Sequence, residues 1–253
     1  MAISVGLYQL LKKTQPLAVP EANCSVKTPE GELALDIEQA QISATIAAVA
    51  ERRKLPERAV VIAYGTALQE SKLSNLAYGD RDSVGVFQQR PSQGWGKRKQ
   101  LLDPVYATNR FFAALVKVKN YRKIPLADAA QAVQRSAGGY AYAQHESDAK
   151  LLASAFTGRV PKSVHCWYPP PKASTPAPQA KTAEARRQLT RALGNPAIST
   201  RKRGWLVAAW SVAYAQKYGL KRVGFNGATW TNEWRVEGWQ SGGKASDSAV
   251  DIS

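Results

Sequence analysis

The chain carries two cysteines, Cys24 and Cys166, which stand just outside the two ends of a block whose apolar residues follow a helical period. An even count, a wide separation and no CxxC or Cys/His ligand spacing fit one long-range disulfide better than a metal site, with two unpaired buried thiols as the alternative. A bond between them closes a loop of more than a hundred residues. In the chain-entropy picture such a loop stabilises the fold by about 4 to 5 kcal/mol. The bond requires an oxidising compartment, so the protein is expected outside the cell or at its wall. Residues 2–11 are a short apolar stretch followed by Lys12 and Lys13, read as the remnant of an export signal or of a membrane tether.

Between the cysteines the pattern is helical almost throughout. Ile42, Ile46, Val49 and Ala50 predict an amphipathic helix over 38–53, ended before Pro56. Pro56 suits a first helical position and opens a helix to about Ser71, on which Ala59, Ala63, Thr66, Ala67 and Glu70 share one face. Asp103 and Pro104 form a cap and first-turn pair for a helix through Val116. Pro125 opens another, and Ala149, Leu152, Ala153 and Phe156 mark a fifth, stopped by Gly158. The expected fold class is mainly α, a compact helical domain over 24–166. After it, Pro169, Pro170, Pro171, Pro176 and Pro178 predict an extended linker over 167–185. Residues 186–253 then read as a small α+β module: a helix over 201–218 ended by Gly219, and a hairpin turning at Asn226-Gly227. The segment 1–23 precedes all of this as a separate N-terminal piece.

A formal net charge of +16 draws the chain to polyanions. Between residues 159 and 203 there are ten Lys/Arg against one acid, Glu184, so much of the excess lies beyond the helical block. Only Trp167 and Tyr168 are interleaved with those charges, too few aromatics for a nucleic-acid surface. Peptidoglycan or another anionic wall polymer is the expected partner, and nucleic acid is not.

Residues 67–96, ALQESKLSNLAYGDRDSVGVFQQRPSQGWG, concentrate the chemistry. Glycoside cleavage needs an acid to protonate the leaving oxygen, and a carboxyl beside apolar groups is suited to stay protonated near neutrality. Glu70, at the end of a stripe of small residues, is the candidate acid/base. Ser71, Tyr78, Gln88, Gln89 and Trp95 supply the hydroxyls, amides and rings that grip sugars. Asp80 or Asp82 is the available second carboxylate. One carboxyl suffices where the substrate's own acetamido group or hydroxyl attacks the anomeric carbon. His145 and His165 make neither a zinc set nor a nucleophilic triad, so no metal or cofactor is expected.

Glu70-Ser71 followed by Gly85-Val86-Phe87-Gln88 resembles the ES…GLMQ signature of the soluble lytic transglycosylase family, within the lysozyme-like superfamily. The strings YGDRDSVGVFQQRPSQGWG, LDPVYATNRFFAALV and AAQAVQRSAGGYAYAQHE are similar to a lysozyme-like domain of secreted wall-associated proteins of actinobacteria. The likeness spans roughly residues 35–166. It implies a lysozyme-like helical domain that cleaves the MurNAc-GlcNAc β-1,4 bond of peptidoglycan, with Glu70 as general acid/base and Gln88 near the glycan. The family's later AYN motif stands here as Ala132-Val133-Gln134, so Tyr140 and Tyr142 are the candidates to replace its tyrosine in holding substrate. The alternative is a non-catalytic wall-glycan-binding protein on the same fold.

Overall fold

The computed structural model describes residues 21–135, 139–169, 179–233, 236 and 238–253. Residues 1–20, on which the export reading rests, and 170–178, the middle of the expected linker, lie outside the described residues. No helix among the described residues is long and apolar enough to cross a membrane.

The expected mainly α class is corrected by two antiparallel sheets, which make the fold mixed α+β. Strand β1 (Asn23–Thr28) pairs with β2 (Gly31–Leu35) on one edge and with β3 (Val164–Trp167) on the other. Cys24 and Cys166 face each other across the β1–β3 ladder, their Cα atoms 3.9 Å apart, and are joined by a disulfide. Both ends of the helical block are thus fastened in one ladder. Cys24, Val26, Val164 and Cys166 point inward and are buried, while Lys27 points out, the two-residue alternation of a half-covered sheet. Segments of four to six residues carry too little of that alternation to stand out beside long helical runs.

The helices follow the expected order. Helix α1 (Ile37–Arg52) starts at a capping box in which Gln39 N–H donates to Asp36 at 2.7 Å and Asp36 N–H donates to the Gln39 side chain at 3.0 Å. It is not amphipathic as expected: every residue from Ile42 to Ala50 is buried. The reason lies far along the chain, where α7 (Thr182–Leu193) and α8 (Arg201–Ala213) cover the face that the sequence pattern left to solvent. Thr45 and Tyr214 hydroxyls meet at 2.7 Å across that contact. Helix α2 (Glu57–Ser71) packs on α6 (Glu146–Phe156) and on α5 (Leu126–Gln134). Between them run a short α3 (Arg98–Leu101) and α4 (Pro104–Leu115), the latter capped by the Asp103 side chain accepting from Val105 N–H.

The expected helix over 201–218 is divided into α8 and α9 (Ala215–Tyr218), and Gly219 closes it at φ +64°. The hairpin forms as β4 (Arg222–Phe225) and β5 (Ala228–Thr231), with Asn226 and Gly227 at φ +50° and +73°, as a tight primed turn requires. Strands β6 (Trp239–Ser241) and β7 (Asp251–Ile252) extend it to the order β6-β5-β4-β7. Trp230, fully buried on β5, donates its indole N–H to His165 Nδ1 and Cys166 O, and Trp239 donates to Val164 O at 2.9 Å. The carboxy-terminal sheet is therefore seated directly on the disulfide strand. One apolar core runs from Cys24 to Val250, across the expected boundaries at 166 and 186.

Candidate functional site

Glu70 occupies the last turn of α2, where the helix is ended by two successive left-handed residues, Lys72 (φ +54°) and Leu73 (φ +60°). Their amides close onto Leu68 and Ala67 carbonyls, which satisfies the helix end and turns the chain sharply into the 74–96 loop. Glu70 is half-buried there. The Tyr142 hydroxyl donates to its Oε1 at 2.6 Å, and Oε2 has no hydrogen-bond partner among the described residues.

The loop is built from its own backbone and from buried side chains. Val84 and Gln89 exchange both backbone hydrogen bonds, at 3.0 and 3.1 Å, and Gly85 N–H donates to Leu76 O at 2.7 Å. Gly85 sits at φ +79° with Leu101 O so near that a Cβ would lie 2.5 Å from it, so this position admits glycine alone. Phe87 is fully buried and stacks on Phe111 with ring centroids 4.4 Å apart, anchoring the loop to α4. Asp82 accepts from Arg90 Nε at 2.8 Å, Ser92 N–H at 2.7 Å and the Ser92 hydroxyl at 2.9 Å. The Arg90 hydrogen bond, seconded by the Ser92 amide, holds its carboxyl well below the usual carboxylate range. Arg110 donates from α4 to the carbonyls of Gly94 and Trp95, at 3.0 and 2.9 Å, fixing the far end.

Between α2 and this loop lies an open cavity of roughly 510 Å³. Of the candidate residues, Glu70, Gln88 and Trp95 line it. Gln88, held at φ +45°, receives the Ser83 hydroxyl on Oε1 at 3.0 Å and donates to Gly85 O at 3.1 Å. Of the two candidate second carboxylates, Asp80 lines the cavity but its side chain is 94% exposed, while Asp82 is consumed by Arg90 and Ser92.

Five expected sugar contacts are placed elsewhere. Ser71 is buried under the loop, its hydroxyl shared between Ala67 O and Val86 O, so it joins helix to loop. Gln89 is buried and donates to Ala107 O. Tyr78 and Tyr140 are 74% and 95% exposed and do not line the cavity. Tyr142 is buried and acts on Glu70 itself.

Gln134, Arg81, Arg90 and Arg135 line the cavity without having been singled out from the sequence. Gln134 ends α5, donates to Phe87 O at 2.7 Å, and leaves its buried Oε1 without a partner among the described residues. The substituted motif Ala132-Val133-Gln134 was the one available signal for it. Among the described residues no group of three or more His, Cys, Asp or Glu is arranged to hold a metal ion. The arrangement offers one half-buried carboxylate, the exposed Asp80, two glutamines, a ring and several guanidinium groups around an open cavity. No family model matches the chain and no curated protein matches it.

Proposed function

We propose that the chain cleaves the glycan strands of peptidoglycan at the MurNAc-GlcNAc β-1,4 bond, with Glu70 as the general acid and then the general base. The observation that carries this reading is the half-buried carboxyl at the end of α2, with one oxygen held by Tyr142 and the other without a hydrogen-bond partner among the described residues, on the wall of an open cavity. Glu70 gives a proton to the bridging oxygen as the bond breaks. It then takes one from the attacking group, the sugar's own hydroxyl in a transglycosylase or water in a lysozyme. Gln88 lines the cavity with an Oε1 that can accept from a sugar hydroxyl or acetamido N–H beside the Ser83 hydroxyl, and Trp95 offers a ring for a sugar face. The resemblance of the Glu70-Ser71 and Gly85–Gln88 strings to lytic transglycosylases adds to this, as does a disulfide compatible with an extracellular setting.

The replacement of the AYN motif by Ala132-Val133-Gln134 favours a second reading, in which the same cleft holds wall glycan without cutting it. Mass spectrometry of isolated sacculi after incubation with the protein separates the two. Anhydro-ended or reducing-ended muropeptides are the expected products, and sacculi that bind the protein yet release neither contradict cleavage.

A further inference from the structure

The ends of α1 and α7 and the start of α8 meet at one corner of the molecule. Arg52, in the last turn of α1, donates from Nη1 to Arg191 O in the last turn of α7 at 2.9 Å, and Arg203 on α8 reaches back to Glu51 at 2.7 Å. The acids of this corner are already engaged: Glu51 by Arg203, Asp103 by Arg191, and Glu57 by Arg159 and Lys202. Arg52, Lys54, Arg186, Arg187 and Arg201 are exposed and have no ion-pair partner among the described residues. Glu184, the one acid of α7, is half-buried on the side of Tyr218. A positive surface is left without its counter-charge.

Folding does not account for that surplus. Arg201, Lys202 and Arg203 fill the first turn of α8 with no acid among them, whereas a helix start favours negative charge. Lys202 and Arg203 are compensated by Glu57 and Glu51, and Arg201 is not. The exposed large apolar side chains among the described residues, Tyr78, Val116 and Tyr140, all lie elsewhere, so the corner offers neither a ring for a nucleobase nor an apolar side chain to enter a lipid layer. Guanidinium forks distributed over three elements complement phosphate oxygens on a chain that can bend around them. We infer that this corner docks a linear phosphodiester polymer of small polyols, whose charge lies in its own backbone and whose spacers need neither a ring nor an apolar floor. None of its cations lines the Glu70 cavity, so docking leaves that cavity open. The inference stands apart from the glycan-cleavage reading.

The test titrates the full chain by calorimetry with lipid-free poly(glycerol phosphate) over a series of salt concentrations. The logarithm of the binding constant is expected to fall linearly with the logarithm of salt concentration as counterions are released. The side chains of Arg186, Arg187 and Arg201 make no hydrogen bond or ion pair among the described residues, so changing all three to Gln should leave the melting temperature in place. This triple variant should bind about tenfold or more weakly, with a salt slope shallower by about two. Lys119→Gln, Lys221→Gln and Lys244→Gln together make the same charge change at exposed positions outside the corner and should keep the affinity within about twofold. No binding by the parent at low salt, or equal losses in the two triple variants, would overturn the inference. So would single-stranded DNA or polyglutamate of equal charge binding as tightly as the polyol phosphate, or phosphatidylglycerol vesicles recruiting the chain as strongly through the same three arginines. The ligand contains no wall glycan, so a failure here leaves the Glu70 reading standing, and a failure of wall lysis leaves the docking result standing.

Discussion

Among the described residues Glu70 is held by one side-chain hydrogen bond, from a tyrosine 72 residues further along the chain. That bond fixes which carboxyl oxygen is occupied and which remains for substrate, so its loss should slow chemistry more than it disturbs folding. Tyr142→Phe is expected to lower the rate of wall lysis about tenfold with little change in the melting temperature; an unchanged rate would remove Tyr142 from the site. Glu70 was legible because a carboxylate followed by Ser71 and a glycine-punctuated polar loop is an unusual combination at a helix end. Tyr142, Gln134 and Arg135 were much less so, because their proximity to Glu70 depends on how α5 and α6 pack on α2. Sequence spacing carries no such distance. Ser71 and Gln89 show the converse error: polar side chains in a binding-like loop can be spent on satisfying buried backbone carbonyls, as these two are.

The 74–96 loop keeps its shape through a few specific fastenings, of which the Asp82 cluster is the most exposed to test. Its carboxyl has a folded pKa depressed below the ordinary 3.8. A depressed carboxylate contributes stability above its unfolded pKa and loses it only as the pH falls through the folded value. The latch should therefore persist through mildly acidic conditions and open only in strong acid. Asp82→Asn removes the charge from the Arg90 and Ser92 contacts. Limited proteolysis at neutral pH should then cut within residues 78–96 faster than in the wild type, with lysis reduced; identical digestion patterns would show that the loop stands without the latch. The long helices were readable because 12 to 16 residues repeat the apolar period several times. The hairpin at Asn226-Gly227 was readable because its turn demands those residues. Short strands without such a turn were not, and β1 and β3 were passed over although Cys24 and Cys166 lie on them.

Across the whole molecule, one disulfide and one continuous core join segments far apart in sequence. Cys24 and Cys166 are 142 residues apart, and opening so long a loop should cost about 4 to 5 kcal/mol in the chain-entropy model. Reduction, or the paired change Cys24→Ala with Cys166→Ala, is expected to lower the denaturation midpoint by a corresponding amount. A midpoint that does not move would mean the β1–β3 ladder and the Trp230 and Trp239 contacts suffice without it. The burial of α1 on all sides is a property of this scale too, since the helices that cover it come from residues 182–213. The central claim remains the chemistry of one carboxyl, and the most direct measurement compares wild type with Glu70→Gln in clearing a suspension of purified cell walls, both proteins first shown to be folded. The account predicts a steady fall in turbidity with the wild type and none with Glu70→Gln; equal clearing by the two proteins would contradict it.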